Sequence, residues 1–195
     1  MQRADIVQAA AQIFRQKGYH AASMQDIADA VGLQKASLYH HFASKQDILL
    51  EILDEALDLL IADMQAVLDT DLPPEDQLHQ AMRAYVNRVT QEASLAAVLQ
   101  LEHRNLDPRR RARHVTRRDR YDDLWRELIR RGIDRGAFRP MDERMVTFAL
   151  LGIQNWMITW YRPDGRLTAV EIADQFADLM LNGLRPADRG PSHEP

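Results

Sequence analysis

Residues 23–45 read Ser-Met-Gln-Asp-Ile-Ala-Asp-Ala-Val-Gly-Leu-Gln-Lys-Ala-Ser-Leu-Tyr-His-His-Phe-Ala-Ser-Lys, and this stretch decides the fold. Ser23 and Asp26 form an S-x-x-acid capping box, in which each side chain satisfies an orphan amide of the other residue. Met24, Ile27, Ala28 and Val31 recur at i, i+3, i+4, i+7, the apolar stripe of a short helix. Gly32 stands where a C′ residue with positive φ is wanted. A second short helix starts near Gln34 and buries Leu38 and Phe42. Ser44 caps a third, with Asp47 at its N3 position. Two short helices across a tight turn make a helix-turn-helix plan, whose second helix enters the major groove of DNA.

The side chains left outside the apolar stripes have the chemistry for that task. Lys35 and Ser37 stand near the N-terminus of the second helix, within reach of base edges. Tyr39, His40, His41 and Lys45 suit phosphate oxygens, and the amides after Ser23 and Ser44 offer helix N-termini to phosphate. By pattern alone, a plain helical hairpin inside a bundle fits as well.

Residues 5–50 resemble the N-terminal domain of TetR/AcrR-family transcriptional repressors. The resemblance rests on Ile6, Ala9, Ala10 and Phe14 followed by Gly18-Tyr19, then on Ser23-x-x-Asp26-Ile27-Ala28-x-x-Val31-Gly32. Its most specific part is Leu38-Tyr39-His40-His41-Phe42-x-Ser44-Lys45. The chain departs from the family pattern at Gln34, where a small hydroxyl residue is usual, and at Ala36, where Gly is common. The Ala36 methyl could meet a thymine methyl. The resemblance implies a DNA-binding homodimer, and the full candidate set for DNA is Ser23, Gln34, Lys35, Ala36, Ser37, Tyr39, His40, His41 and Lys45.

Charge and composition agree with a small reading head on a larger body. Net charge is −4. The basic groups of the first 50 residues are Arg3, Arg15, Lys17, Lys35 and Lys45, against Asp5, Asp26, Asp29 and Asp47, so the negative charge sits in the remainder. An acidic body behind a slightly basic head holds non-specific DNA affinity down. No cysteine is present, which excludes disulfides and thiolate metal sites. No long uncharged apolar run or signal-peptide pattern occurs, so a cytoplasmic protein without membrane contact is expected.

Outward from the motif, the pattern predicts an all-α chain of about nine helices. A three-helix head occupies 1–46, a ligand-binding and dimerisation domain 47–183, and a disordered tail 184–195. The first helix runs over 4–17 and the fourth over about 45–68. No Lys or Arg occurs between Lys45 and Arg83, and the aspartates and glutamates of that span read as a solvated face. Prolines 73–74 open a fifth helix, and a sixth spans about 93–105. Asp107-Pro108 opens an arginine-rich helix to about 135, with Asp122/Arg126 and Glu127/Arg131 as i,i+4 pairs. The helix over 142–160 is apolar nearly all round, which asks for burial against both the core and a partner. A last amphipathic helix starts at Thr168. In TetR-like proteins the last two long helices form the dimer interface, and this chain fits that plan.

An effector pocket between helices needs apolar walls and a few convergent polar groups. The candidates are Met82, Tyr85, Val86, Val89, Leu99, His103, Tyr121, Leu124, Trp125, Ile153, Asn155, Trp156, Trp160 and Arg162. Residues Ala149–Gly165 are similar to the branch of the family that controls fatty-acid and steroid-ring catabolism and answers to acyl-CoA thioesters. That implies a hydrophobic effector, an acyl-CoA among the possibilities, with arginines of the seventh helix and Arg162 toward its nucleotide phosphates. No metal, cofactor or catalytic set is expected: there is no H-E-x-x-H, nucleophile–base pair or phosphate loop. A ligand- or partner-binding helical protein that leaves DNA alone is the alternative. Tyr39, His41 and Lys45 argue against it, since such a head has no need of them.

Overall fold

Helix α1 (Arg3–Lys17) ends at Gly18, whose φ of +78° lets the chain turn away, in a computed structural model that describes residues 2–185. The next two helices are short, α2 (Met24–Ala30) and α3 (Lys35–His41). The Ser23 hydroxyl accepts from the Asp26 amide at 3.1 Å, and the Asp26 carboxylate accepts from the Ser23 amide at 2.8 Å. Gly32 takes φ +66°, and the Leu33 amide donates to the Ala28 carbonyl at 2.9 Å, closing α2 in the manner of a Schellman turn. Helix α4 (Lys45–Leu68) follows without a break across the expected 46/47 boundary.

The head core joins Ile6, Ala10 and Phe14 of α1 to Ile27, Leu38 and Phe42, all essentially inaccessible to water. Ile48, Leu49, Ile52 and Leu53 of α4 close it from behind, and Leu95, Val98 and Leu106 reach it from farther along the chain. Head and body therefore share a continuous apolar seam.

The body comprises α5 (Pro74–Gln91), α6 (Ala93–Leu101), α7 (Pro108–Asp134), α8 (Glu143–Trp160) and α9 (Ala169–Leu184). Helix α6 is shorter than the sequence pattern suggests. It stops at Glu102 and gives way to a 3-10 turn over His103–Asn105, which swings Leu106 back into the head core. Helix α7 starts as read, with the Asp107 carboxylate accepting from the Arg110 amide at 2.9 Å and Pro108 at N1. Tail residues 186–195 lie outside the described residues. Leu184, placed in the tail by the sequence pattern, ends α9 and is buried.

The acidic face of α4 is not simply solvated. Helix α7 runs beside it, so that Asp47 meets Arg110, Asp54 meets Arg113 at 2.7 Å, and Asp58 meets Arg117. Asp63 meets Arg88 of α5 through a bidentate pair at 2.7 and 2.8 Å. Arg110, Arg113 and Arg117 of α7 are thus used between helices. Arg131 pairs with Glu127 at 2.8 Å as expected, but Arg126 turns to Asp123 at 2.9 Å and leaves Asp122 without an ion pair among the described residues.

Helix α8 buries Val146, Leu150 and Met157 against the body core. Its other side carries Met145, Trp156 and Trp160, which are 61%, 66% and 43% exposed. Val170 and Leu179 of α9 are exposed as well. No described helix is long and apolar enough to cross a membrane.

Candidate nucleic-acid interface and effector cavity

Helix α3 is presented outward by two anchors, Leu38 and Phe42, buried on its inner side. Gln34 is its N-cap but makes no side-chain cap bond. Lys35, Ala36, Tyr39 and His40 are exposed, with Ser37 and His41 partly so. Arg3 holds the far end of α3. Its guanidinium lies 3.8 Å from the centroid of the Phe42 ring, donates to the His41 carbonyl and pairs with Glu51 at 3.0 Å. Sequence reasoning gave Arg3 no role beyond its charge.

Two candidates in the head are already engaged. The Ser23 hydroxyl belongs to its capping box, donating to Asp26 at 2.6 Å. Lys45 donates to the Tyr19 and Ala22 carbonyls at 2.7 and 2.6 Å and lies 4.3 Å from the Tyr19 ring centroid. Burial lowers its pKa. Two of its three N–H groups staple the α1–α2 turn to the start of α4, which leaves one for phosphate.

Between α4, α5, α6, α7 and α8 lies a cavity of about 480 Å³, within the range of ordinary small-molecule sites. Leu57, Leu60, Val89, Leu95, Leu99 and Ile158 form its apolar walls. His103, His114, Arg118, Asp122 and Asn155 face it with polar groups. Among the candidates, Tyr85, Val89, Leu99, His103, Tyr121 and Asn155 therefore converge on one space. Met82, Val86 and Trp125 stand in the core outside the lining. Trp156, Trp160 and Arg162 are exposed and do not line it; Trp160 instead packs edge-on against Phe176 at 6.1 Å. A helix apolar on every side carries no phase, so the sequence could not say which tryptophan faces which way.

The sequence reading missed much of the lining, including Arg88, Glu92 and Gln100 and, along one face of α7, His114, Arg118 and Asp122. The i, i+4, i+8 spacing of those last three was the available signal, hidden because Asp122 reads equally well as an ion-pair partner of Arg126. Burial pushes the Asp122 carboxyl above its ordinary pKa. Gln154 was missed too. It is fully buried, with its amide nitrogen 3.0 Å from the Met82 sulfur.

The histidines form a pair, with ring centroids 6.1 Å apart at an interplanar angle of 28°. His103 Nδ1 lies 3.1 Å from the Leu99 carbonyl, which can only accept, so Nδ1 carries the proton and Nε2 keeps a lone pair. His114 is 3% exposed, and its Nδ1 has no hydrogen-bond partner among the described residues. Burial, with the neighbouring His103 and Arg118, lowers the His114 pKa to about 4, so the ring is neutral near pH 7.

The cavity and the head are wired together at the 3-10 turn. His103 lines the cavity, while Asn105 two residues on gives its carbonyl to the Gln46 side chain at 2.8 Å. The same Gln46 nitrogen reaches the Tyr19 hydroxyl at 2.9 Å, and its oxygen accepts from the Asp107 amide at 3.1 Å. Arg110 adds an ion pair to Asp47. A displacement of this turn therefore acts directly on the first turn of α4, next to the recognition helix.

Known proteins carry the same two parts. Residues 6–52 match the model for bacterial regulatory proteins of the tetR family, and residues 71–184 match the tetracyclin repressor-like C-terminal domain. The chain is 29% identical over 184 residues to the transcriptional repressor KstR2 of Mycobacterium tuberculosis, covering 93% of this chain and 92% of that one. The crystal structure of PfmR from Thermus thermophilus shares 39% identity, covers 93% of this chain and 99% of its own, and superposes with a TM-score of 0.86. AibR, solved in complex with isovaleryl coenzyme A and operator DNA, shares 32% identity over 94% of this chain and 98% of its own, with a TM-score of 0.82. The chain therefore belongs to the TetR family of bacterial regulatory proteins.

Proposed function

We propose that the protein is a homodimeric repressor that reads a palindromic operator and is released when an acyl-CoA thioester enters its cavity. The observation that carries this reading is the cavity's place: about 480 Å³, apolar on most sides, with His103 on its wall and Gln46 bonded to the same 3-10 turn two residues on. The solved complex of AibR with isovaleryl coenzyme A and operator DNA supports the class of effector. The division of labour is a head over 1–46 for DNA and a body over 47–183 for ligand and dimerisation, working in the cytoplasm.

The exposed apolar stripe Met145, Trp156 and Trp160 on α8, with Val170 and Leu179 on α9, supports dimerisation through the last two helices. A twofold dimer places two α3 helices in successive major grooves, which is why the operator is palindromic. In the head, Lys35, Ala36 and Ser37 read bases, while Tyr39, His40, His41 and the remaining Lys45 hydrogen hold phosphates, with Ser23 and Gln34 at the helix starts. By linkage, the effector binds the DNA-incompetent form more tightly, and DNA weakens the effector by the same factor.

The test is fluorescence-anisotropy titration of the DNA upstream of the gene, at low and moderate salt, with isovaleryl-CoA or dodecanoyl-CoA. Salt-sensitive binding that either thioester reverses is the expected result. Binding that neither thioester touches would remove the effector from the proposal and leave the repressor.

A further inference from the structure

We propose that the turn after α6 grips the operator's phosphate backbone directly, through Arg104 and Arg109, so that the body supplies DNA contacts of its own. This rests on the operator-binding reading above and adds to it a surface outside the head. The head is short of cations. Of the five Lys and Arg residues in the first 50, Arg3 is spent on Glu51 at 3.0 Å and Lys17 on Asp26 at 2.6 Å. Lys45 gives two of its hydrogens to the Tyr19 and Ala22 carbonyls. That leaves Arg15 and Lys35, both exposed. Duplex DNA carries a negative charge every ~1.7 Å of its axis, and affinity follows the number of phosphates neutralised.

The chain's densest run of positive charge stands beside the head. Residues 104–120 hold eight Arg against Asp107 and Asp119. Arg110, Arg113 and Arg117 are committed to Asp47, Asp54 and Asp58 of α4. Arg111 donates to the Arg104 and Leu106 carbonyls at 2.5 and 3.2 Å and so shapes the turn. Arg118 lines the cavity. Arg104, Arg109 and Arg120 are exposed, and their guanidinium groups have no hydrogen-bond or ion-pair partner among the described residues.

Position separates these three. The pairs Asp47–Arg110, Asp54–Arg113 and Asp58–Arg117 advance together along both helices, so α4 and α7 run parallel and begin side by side. Helix α4 begins at Ser44-Lys45, on the phosphate-facing side of the head, and Gln46 ties the Asn105 carbonyl and the Asp107 amide to that start. Arg104 and Arg109 bracket the tied segment. Arg120 lies about 16 Å farther along α7. The carboxylates of the turn do not cancel the charge, because Glu102 is held by Asn105 at 2.5 Å and Asp107 by Arg110. Neither Arg104 nor Arg109 lines the cavity, which favours DNA over the phosphates of a nucleotide effector. The turn that meets the cavity through His103 thus also holds DNA, and an effector that shifts it withdraws those contacts at once.

The experiment measures binding of the full chain to the duplex upstream of its gene over a series of salt concentrations. An Arg104→Gln/Arg109→Gln double variant removes four phosphate contacts from a dimer. Its plot of log affinity against log salt should be shallower by about three to four units, with affinity down about 100-fold at low salt. Preference for that duplex over a scrambled one should stay, since phosphate contacts carry no sequence information. Tm and isovaleryl-CoA affinity should stay as well, and Arg120→Gln should leave the slope unchanged. An unchanged slope in the double variant, or an equal change from Arg120→Gln, would overturn the proposal. A loss of isovaleryl-CoA affinity with the slope intact would overturn it too and give the arginines to the effector's phosphates. If the unaltered protein shows no salt-sensitive binding to the duplex, the operator-binding reading falls and this surface with it.

Discussion

The head and the body of this regulator are finished to different degrees. In the head, the apolar core is closed and α2 carries a reciprocal capping box. Every buried side-chain polar atom without a partner among the described residues lies at Asp54 or beyond, from Gln77 and His114 to Thr147 and Gln154. The body also holds the 480 Å³ cavity and an exposed stripe of Met145, Trp156 and Trp160. A part that must present a fixed surface to DNA has its core filled, with Leu95, Val98 and Leu106 of the body closing it. A part that must respond keeps unfilled space and unpaired groups, whose filling by ligand or partner shifts its conformational balance.

The contrast predicts unequal tolerance to the same deletion. Leu53→Ala opens a void in the closed head core and should cost about 4 kcal/mol, whereas Leu60→Ala on the cavity wall enlarges existing space and should cost about 2 kcal/mol. Urea unfolding of both variants measures this, and equal losses would erase the distinction. Next in size is the exposed stripe. Trp156→Glu places a charge on the proposed dimer face, so sedimentation should show monomers and operator affinity should fall about 100-fold as the two half-sites are bound singly. An unchanged dimer would move the interface elsewhere.

The third test uses His114. Its pKa falls from an ordinary 6.5 to about 4 on folding, so the unfolded chain binds the proton first as pH drops. Stability that is full above pH 7 should decline through that window, by about 2 kcal/mol at pH 5 from this group. His114→Leu should flatten that part of the profile, while His103 and Arg118, which face it, remain. The smallest effect separates two head residues. Tyr39→Phe should weaken operator binding by about 1 kcal/mol without moving Tm, since its side chain is exposed. Lys45→Met should lower Tm as well, because it removes the bonds to Tyr19 and Ala22. Equal Tm values would return Lys45 to a pure phosphate role.

The same contrast governs what the sequence discloses. Ser23, Asp26, Gly32 and the Leu38/Phe42 spacing are local signals, each readable within one or two helical turns, and the helices they predict are the ones observed. A cavity is space shared by five helices, and no local pattern encodes which faces meet there. Tyr85 and Val89 were found because they sit on the single apolar stripe of α5. Trp156 and Trp160 were misjudged as pocket-lining because α8 has apolar residues on every side. Asp122 was hidden by the choice of Arg126 between two aspartates, Asp122 and Asp123, which only packing makes.

Gln46 gives the molecule one further property. Its amide bridges Tyr19 on one side of the boundary and Asn105 and Asp107 on the other. Anyone building a chimeric biosensor by grafting this head onto a foreign body would inherit half of a plug without its socket. Such a hybrid would still find its operator but be deaf to the new chemical signal. Restoring the dialogue requires transplanting the turn after α6 together with the head.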